Sequence, residues 1–533
     1  MRSAAWIAVI GIAACGDGGA GPNDAPAADA ALPDAAPPDG SAPAGRVITV
    51  VRAGDGVGTV TSEPDGILCD TDCAARFGGD VVLVAQPGYR STFTGWSVAA
   101  CGGEPRCAIP AGADPGSVTA TFSSTATGSL RIDFSGDPVV GDVQLIERDG
   151  WYGPVAVCHA SCTVPVDPGT AYILAAITPS VFTGWSGVCA GAERSCELTA
   201  PASGAVTAVF AGNPGERWAR RVAGAAVLSA DFDPDGNLVV DSTRGVRKYG
   251  PDGALLWAEA DLPGVAQVDA QGNVVVASGR NLTKLDRDGR MIWSHEAWPS
   301  ATSTWRWGDM GHWLDVAPSG DIAYLPGGLH VWTGDGVERW SATTEFPAVR
   351  NVLGVDPTGV VHVAVDDGGA EPTSLERFAP DGTPLGLSGR VCSQYQFAMA
   401  FGPDALWTSC SGYSHVDVNR RPTTGAPWGV SRDIADGDNV RNGVAADGVG
   451  HGIWVYGYNE QTWELEGFVA ARFDASRVID WEVTRPGFFI DPLRGPAGSW
   501  VEDVAGSADG AFCLVGGYGS NYDAAGWVQV VQP

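Results

Sequence analysis

Asp233-Pro234-Asp235-Gly236-Asn237-Leu238-Val239-Val240 joins a tight-turn sequence to an apolar run. An Asx side chain and a glycine with positive φ are what a tight β-turn requires. The pattern returns as Asp269-Ala270-Gln271-Gly272-Asn273-Val274-Val275-Val276 and as Ala317-Pro318-Ser319-Gly320-Asp321-Ile322. Shorter versions stand at Asp356-Pro357-Thr358-Gly359, Gly402-Pro403-Asp404, Ala446-Asp447-Gly448 and Ala508-Asp509-Gly510, which makes seven occurrences. A second unit follows: an alternating strand, a turn and a tryptophan. Val246-Arg247-Lys248-Tyr249 leads to Gly253 and Trp257, Leu282-Thr283-Lys284-Leu285 to Gly289 and Trp293, and Leu329-His330-Val331-Trp332 to Gly336 and Trp340. Leu375-Glu376-Arg377-Phe378 leads to Gly382, with Gly386 in place of the tryptophan, and Ala471-Arg472-Phe473 leads to Trp481.

Two hairpins every roughly 36–62 residues amount to one four-stranded blade, so residues 212–533 are expected to form a β-propeller of seven blades, with six or eight as the alternatives. Trp527-Val528-Gln529-Val530-Val531 reads as the third strand of a blade and Gly215-Glu216-Arg217-Trp218-Ala219 as a fourth strand. Pairing them would close the ring by strand exchange and remove the free sheet edges. The repeats resemble bacterial extracellular propeller families, including the quinoprotein-like propellers with a "G…W" blade signature.

Composition agrees with an all-β chain. Glycine is abundant (74 of 533 residues), charged residues make up only 18%, and no long helical periodicity is present. The formal net charge is −30, from 32 Lys+Arg against 62 Asp+Glu. That balance argues against duplex nucleic acid as a partner, because phosphate must be met by clustered cations. Only two lysines occur, Lys248 and Lys284.

Residues 46–122 and 123–211 carry a different repeat. The first copy has Cys69-x₃-Cys73, then Phe93-Thr94-Gly95-Trp96-Ser97, then Cys101 and Cys107. The second has Cys158-x₃-Cys162, then Phe182-Thr183-Gly184-Trp185-Ser186, then Cys189 and Cys196. Four cysteines per copy in an exported chain read as two disulfides with three possible connectivities. The local pairs Cys69–Cys73, Cys101–Cys107, Cys158–Cys162 and Cys189–Cys196 are preferred. A four-cysteine zinc site is the rival reading, against which stand the spacing and the need for reduced thiols. Trp96 and Trp185 read as core. The landmarks resemble divergent InlB-type B-repeat modules, small β units found in tandem on bacterial surface proteins. The second copy departs from that pattern at Asp149-Gly150-Trp151-Tyr152, which enlarges the loop before Cys158. The resemblance implies a spacer or adhesive unit without an active site.

Residues 1–15 read as a targeting segment. Arg2 supplies positive charge, Ala4 to Ile10 an apolar stretch, and Ile12-Ala13-Ala14-Cys15 resembles the bacterial lipobox. The resemblance implies acylation of Cys15, anchoring the chain at about 0.8 kcal/mol per buried CH₂. Gly16 follows, where a retention aspartate would stand, which favours an outer-membrane or surface destination. Residues 16–45 are an Ala/Pro/Asp-rich linker too poor in large apolar side chains to bury a core.

Chemistry-bearing motifs are few. There is no His-Glu-x-x-His pair, no G-x-S-x-G elbow and no phosphate-binding G-x₄-G-K-[ST] loop. Asp231, Asp233 and Asp235 match the first half of a calcium loop, but Ser242 stands where a bidentate Glu belongs, so a plain blade turn is favoured. His330 and His362 lie in apolar strands and read as packed or turn-bonding residues. Cys392 and Cys410 are candidates to pair, leaving Cys513 a buried thiol. Trp298, Trp305, Trp307 and Trp313 cluster in a long insertion, either as a glycan or protein platform or, the favoured reading, as cover for a blade edge. The expected function is non-catalytic binding, adhesion or scaffolding at the cell envelope. It needs no cofactor and has as partners the membrane, through the lipid anchor, and a protein or glycan ligand. The competing expectation is an envelope enzyme, a polysaccharide hydrolase or lyase, with its active site in the propeller channel.

Overall fold

The computed structural model describes residues 46–533 except 65, 70–72, 137–140, 149–153, 223–226, 260–261, 279–280, 298–312, 326–327, 344–347, 367–372, 393–395, 412–414, 425, 434–441, 461–464, 486–487, 492–494 and 521–522. Cys15, the 16–45 linker, Trp298, Trp305 and Trp307 therefore lie outside the described residues. The described chain is all β; its one helical element is the single 3₁₀ turn Ala99–Cys101.

The two cysteine repeats share one topology. In the first, Arg46–Gly54 and Ser117–Ser124 run parallel at the centre of a sheet flanked by Ala74–Phe77 and Ser91–Trp96. A second sheet, Gly58–Glu63, Val81–Pro87 and Arg106–Ile109, faces it. In the second repeat, Gly128–Ser135 and Ser203–Ala211 form the parallel pair, and the facing sheet is Ala156–Cys158, Asp142–Glu147, Ala171–Ile177 and Ser195–Thr199. Asp149 to Tyr152 of the enlarged loop lie outside the described residues; after them Ala156–Cys158 forms a strand that pairs with Val143–Leu145. Trp96 and Trp185 are buried, and each indole Nε1 donates to a backbone carbonyl, Glu104 O and Glu193 O, at 2.9 Å in both copies. All four local cysteine pairs are bridged as the spacing suggested, and Cys392 is bridged to Cys410. Each bridge in so small a core is worth about 2–4 kcal/mol.

From Glu216 onward the strands make seven consecutive sheets. Blades 1 to 6 span residues 227–259, 265–296, 314–342, 348–387, 396–433 and 442–485, four strands each. Blade 7 takes Phe488–Asp491, Gly495–Gly506, Phe512–Ser520 and Asp523–Val531 from the C-terminal end and Glu216–Val222 from the start of the domain, the latter paired antiparallel with Asp523–Val531. The channel-lining strands neighbour one another in chain order, and that of blade 7, Gly495–Gly506, lies beside Val227–Phe232 of blade 1. The second strands, such as Leu238–Ser242, are buried on both faces because neighbouring blades cover both.

Tryptophan joins one blade to the next. Trp218 Nε1 of blade 7 donates to Pro251 O of blade 1 at 3.0 Å, and Trp257 Nε1 of blade 1 to Arg287 O of blade 2 at 3.0 Å. Trp293 reaches Gly334 O (3.2 Å), Trp340 reaches Pro380 O (3.0 Å), Trp428 reaches Ala475 O (3.2 Å) and Trp481 reaches Pro214 O (2.7 Å). Gly289 shows why its turn needs glycine: φ is +83°, and a Cβ there would sit 2.9 Å from the Trp257 ring.

The second cysteine repeat is fused to the propeller. One face of Ala171–Ile177 (Tyr172, Leu174, Ala176) fills the core of its own module. The other face (Ile173, Ala175, Ile177), with Ile146, joins a cluster containing Ile453, Phe468, Phe512 and Trp527 of blades 6 and 7. In the first repeat the equivalent strand Val81–Pro87 alternates buried and partly exposed, as a strand with one free face does. The first repeat leans on the second through the Tyr89 hydroxyl, 2.9 Å from Glu147 Oε2, and through the Arg90–Asp167 ion pair at 2.7 Å.

Candidate functional site: the propeller channel

The inner strands of all seven blades line one cavity of about 300 Å³ at the ring's centre, on the side of the Asp-Gly turns. Leu314, Leu353, Met399 and Phe401 give its walls apolar side chains. Four side chains carry polar groups into it: Asp231 (blade 1), Gln267 (blade 2), Asp315 (blade 3) and Asp503 (blade 7). Among the described residues that line it there is no Lys, Arg or His.

The three aspartates share one geometry. Asp231 Oδ1 accepts from the next residue's amide, Phe232 N, at 2.8 Å, and Oδ2 from Val268 N of blade 2, also at 2.8 Å. Asp315 accepts from Val316 N (2.8 Å) and from Val355 N of blade 4 (2.7 Å). Asp503 accepts from Val504 N (2.8 Å) and from Ala230 N of blade 1 (3.0 Å). Each carboxylate therefore ties two blades through backbone amides that face a cavity and have no ladder partner there. Asp241, one strand further out, repeats the device with Ser242 N (2.7 Å) and Gly264 N (3.0 Å).

Burial pushes the Asp231 carboxyl up to about 7; the bond from Val268 N opposes the rise, and the negative charges of Asp315 and Asp503 add to it. Asp241, wholly buried, is raised as well, burial outweighing its two amide bonds. The Cys513 thiol lies in the wall behind the channel, and burial raises it well above the ordinary thiol range, with Asp503 contributing.

The calcium-loop candidates are not brought together. Asp231 faces the channel. Asp233 caps its own turn, its Oδ1 accepting from Asp235 N (2.9 Å) and Asn237 N (2.8 Å), and pairs with buried Lys248 at 2.8 Å. Asp235 pairs with Arg287 on the surface at 2.8 Å. The plain blade-turn reading describes these contacts. Asp269 and Lys284 repeat the Asp233–Lys248 arrangement at 2.9 Å, so both lysines of the chain are used inside blades. Their ammonium groups also donate to Arg287 O and Gly334 O, the carbonyls that accept from Trp257 and Trp293.

The described histidines serve packing and turns. His362 is 3.1 Å from Asp356 and its imidazole is lowered by burial; His451 is 2.7 Å from Asp447, His330 2.8 Å from Glu338 and His159 2.6 Å from Asp142. Trp313 is half-buried and lies against Tyr324 with ring centroids 5.6 Å apart.

Of the channel's polar groups, only Asp231 was singled out by sequence, and for a different reason. Gln267 and Asp315 occupy the same place in their repeats, two residues before the turn position held by Asp233, Asp269 and Ala317. That register was a usable signal. Asp503 was not accessible in this way, because it stands four residues before its turn position, Ser507, level with Ser229 of blade 1 and not with Asp231.

No family model matches the chain, and no curated protein does. Solved structures do. The WD40 domain of Neurospora crassa Pan2 is 12% identical over 57% of this chain and 89% of that one, with a TM-score of 0.36. A quinoprotein alcohol dehydrogenase-like protein from Bacteroides thetaiotaomicron is 8% identical over 67% of this chain and 93% of that one, with a TM-score of 0.33. A gluconolactonase from Xanthomonas campestris is 16% identical over 58% and 91%, with a TM-score of 0.29. The propeller assignment itself rests on the sheet order described above.

Proposed function

We propose that this chain is an exported, lipid-anchored propeller protein that works by non-catalytic binding or scaffolding at the cell envelope, with its two cysteine modules as B-repeat-type spacers. The observation that carries this reading is the employment of the channel aspartates: all three are held by paired amide bonds to adjacent blades. A carboxylate fixed in that way is a structural staple. The described channel lining also offers no Lys, Arg or His to join the aspartates in an Asp/Arg/His acid–base constellation. The test is binding of the whole mature chain to glycan and envelope-protein arrays, beside turnover assays on the same glycans. Saturable binding without turnover supports the reading; turnover overturns it. Lipidation is tested by mass spectrometry of the N-terminal peptide from membrane fractions. Acyl chains on Cys15 are expected, and an unmodified N-terminus or a cut elsewhere excludes the anchor.

One observation favours a second reading, an envelope hydrolase. Asp231, held near 7 beside two further carboxylates, has the properties of a general acid at neutral pH. If that reading holds, Asp231→Asn abolishes turnover of a glycan that the protein still binds.

A further inference from the structure

Among the described residues, six blade junctions carry an indole lock and one does not. In register, Trp257 stands opposite Lys248, Trp293 opposite Lys284, Trp428 opposite Arg420 and Trp481 opposite Arg472; in blade 4 the residue opposite Arg377 is Gly386. A Cβ built on Gly386 meets nothing within 4 Å, and the strand Pro384–Leu387 is exposed throughout, Leu385 at 45% and Leu387 at 39%. The corresponding turn of blade 5 shows a different bond among its described residues. Its Thr423 N instead donates back to Asp404 O at 2.9 Å. Among the described residues, no tryptophan of blade 4 reaches blade 5.

The propeller's only bridged cysteine pair sits at this junction. Cys392 lies in the crossover that leaves blade 4, and Cys410 in the second strand of blade 5, their Cα atoms 6.0 Å apart. Both are buried in a cluster that takes Val352, Ala364 and Leu375 from blade 4 and Phe397 and Met399 from blade 5. Beside them, Arg421 donates to Arg390 O at 2.7 Å, which also ties the crossover to blade 5. The seam runs to the channel. Leu353 and Val355 on one side and Met399 and Phe401 on the other line the cavity, and a Cβ on Gly354 would lie 3.1 Å from the Phe401 ring.

We propose that the Cys392–Cys410 bridge is the lock of the one junction without an indole, and that its reduction by a dithiol opens the ring there, giving the channel a side entrance between blades 4 and 5. The exchange is balanced. The reductant's two thiols become its own disulfide, the Cys392–Cys410 bond breaks, and each sulfur leaves with one hydrogen. The other junctions contain no thiol couple and stay shut.

The experiment is hydrogen-exchange mass spectrometry on the full chain with and without dithiothreitol, with alkylation to count free thiols at Cys392 and Cys410. The Cys392→Ala/Cys410→Ala variant and a Cys69→Ala/Cys73→Ala control are measured beside it. Reduction is expected to speed exchange at least about tenfold in Ala348–Val355, Gln396–Phe401 and Ala405–Ser411 and to leave blades 1 and 2 unchanged. The double variant should exchange fast in the same strands without reductant, and the control should match wild type there. Free thiols at both positions in the untreated protein, unchanged exchange after their release, or a rise spread evenly over all blades would each overturn the proposal. If the double variant does not fold, the wild-type comparison before and after reduction decides alone.

Discussion

A carboxylate that accepts from its own next amide and from an amide of the adjacent blade does with one side chain what a sheet edge does with a ladder. It also carries a cost that can be measured. Asp231 has a native pKa above its unfolded value, so the native state holds the proton more tightly. Its penalty is absent below about pH 4, grows as pH rises toward 7 and levels off above that, where both states are ionised. Thermal melts from pH 5 to 8 should therefore show wild type losing stability with rising pH more steeply than Asp231→Asn. Equal slopes for the two proteins would exclude Asp231 as the titrating group. Lys248 gives the opposite sign. Its ion pair helps hold the Asp233 carboxyl below its usual range, so Lys248→Met leaves a buried anion. The variant should lose about 3–5 kcal/mol in urea unfolding at pH 7, with a smaller deficit at pH 4, where Asp233 can take up a proton. Trp257→Ala removes an indole lock and the cover of Gly289, and is expected to cost about 2–4 kcal/mol by the same measurement.

At the scale of elements, the strand Ala171–Ile177 decides how the cysteine repeats relate to the propeller. Its sequence, Ala-Tyr-Ile-Leu-Ala-Ala-Ile, is apolar without alternation, which a strand adopts when both faces are covered. The equivalent strand of the first repeat, Val-Val-Leu-Val-Ala-Gln-Pro, ends in polar residues and keeps one face partly open. That contrast was available in the sequence as a sign that the second module docks and the first does not dock in the same way. What the second module docks against was not available, because Ile453, Phe468, Phe512 and Trp527 lie about 270–380 positions away along the chain. Ile173→Asp should uncouple the module. The expected readout is faster limited proteolysis between residues 211 and 216, with the disulfides still intact by mass. Unchanged cleavage would show that the cluster does not hold the two together. The turns were legible for a local reason: Asx-x-x-Gly chemistry is complete within five residues, as the bond from Gly236 N to Asp233 O at 2.9 Å shows.

At the scale of the molecule, Ala42–Pro533 forms one compact unit, and the two repeats are not loose beads ahead of the propeller. Residues 212–533 expressed alone would expose the apolar surface that Ile146, Ile173 and Ile177 cover. Residues 128–533 should accordingly be monodisperse where 212–533 binds a hydrophobic dye and self-associates, as light scattering would report. The net charge of −30 is spread in rough proportion to length, with −18 of it in 212–533, and reads as solubility and self-repulsion. Both lysines are consumed inside blades, so every cation on the described surface is an arginine.

The sequence by itself determined the repeat units, the hairpins, the all-β class, the local disulfide partners and the strand that completes blade 7. Each of these is specified by residues close in the chain or by a period that recurs along it. The tertiary structure alone decided which groups share the channel, which junction lacks its indole lock and which module is fused to the ring. Those depend on distances between residues tens to hundreds of positions apart. A carboxylate at Asp503 meets an amide at Ala230 only because the ring brings the two ends of the domain together.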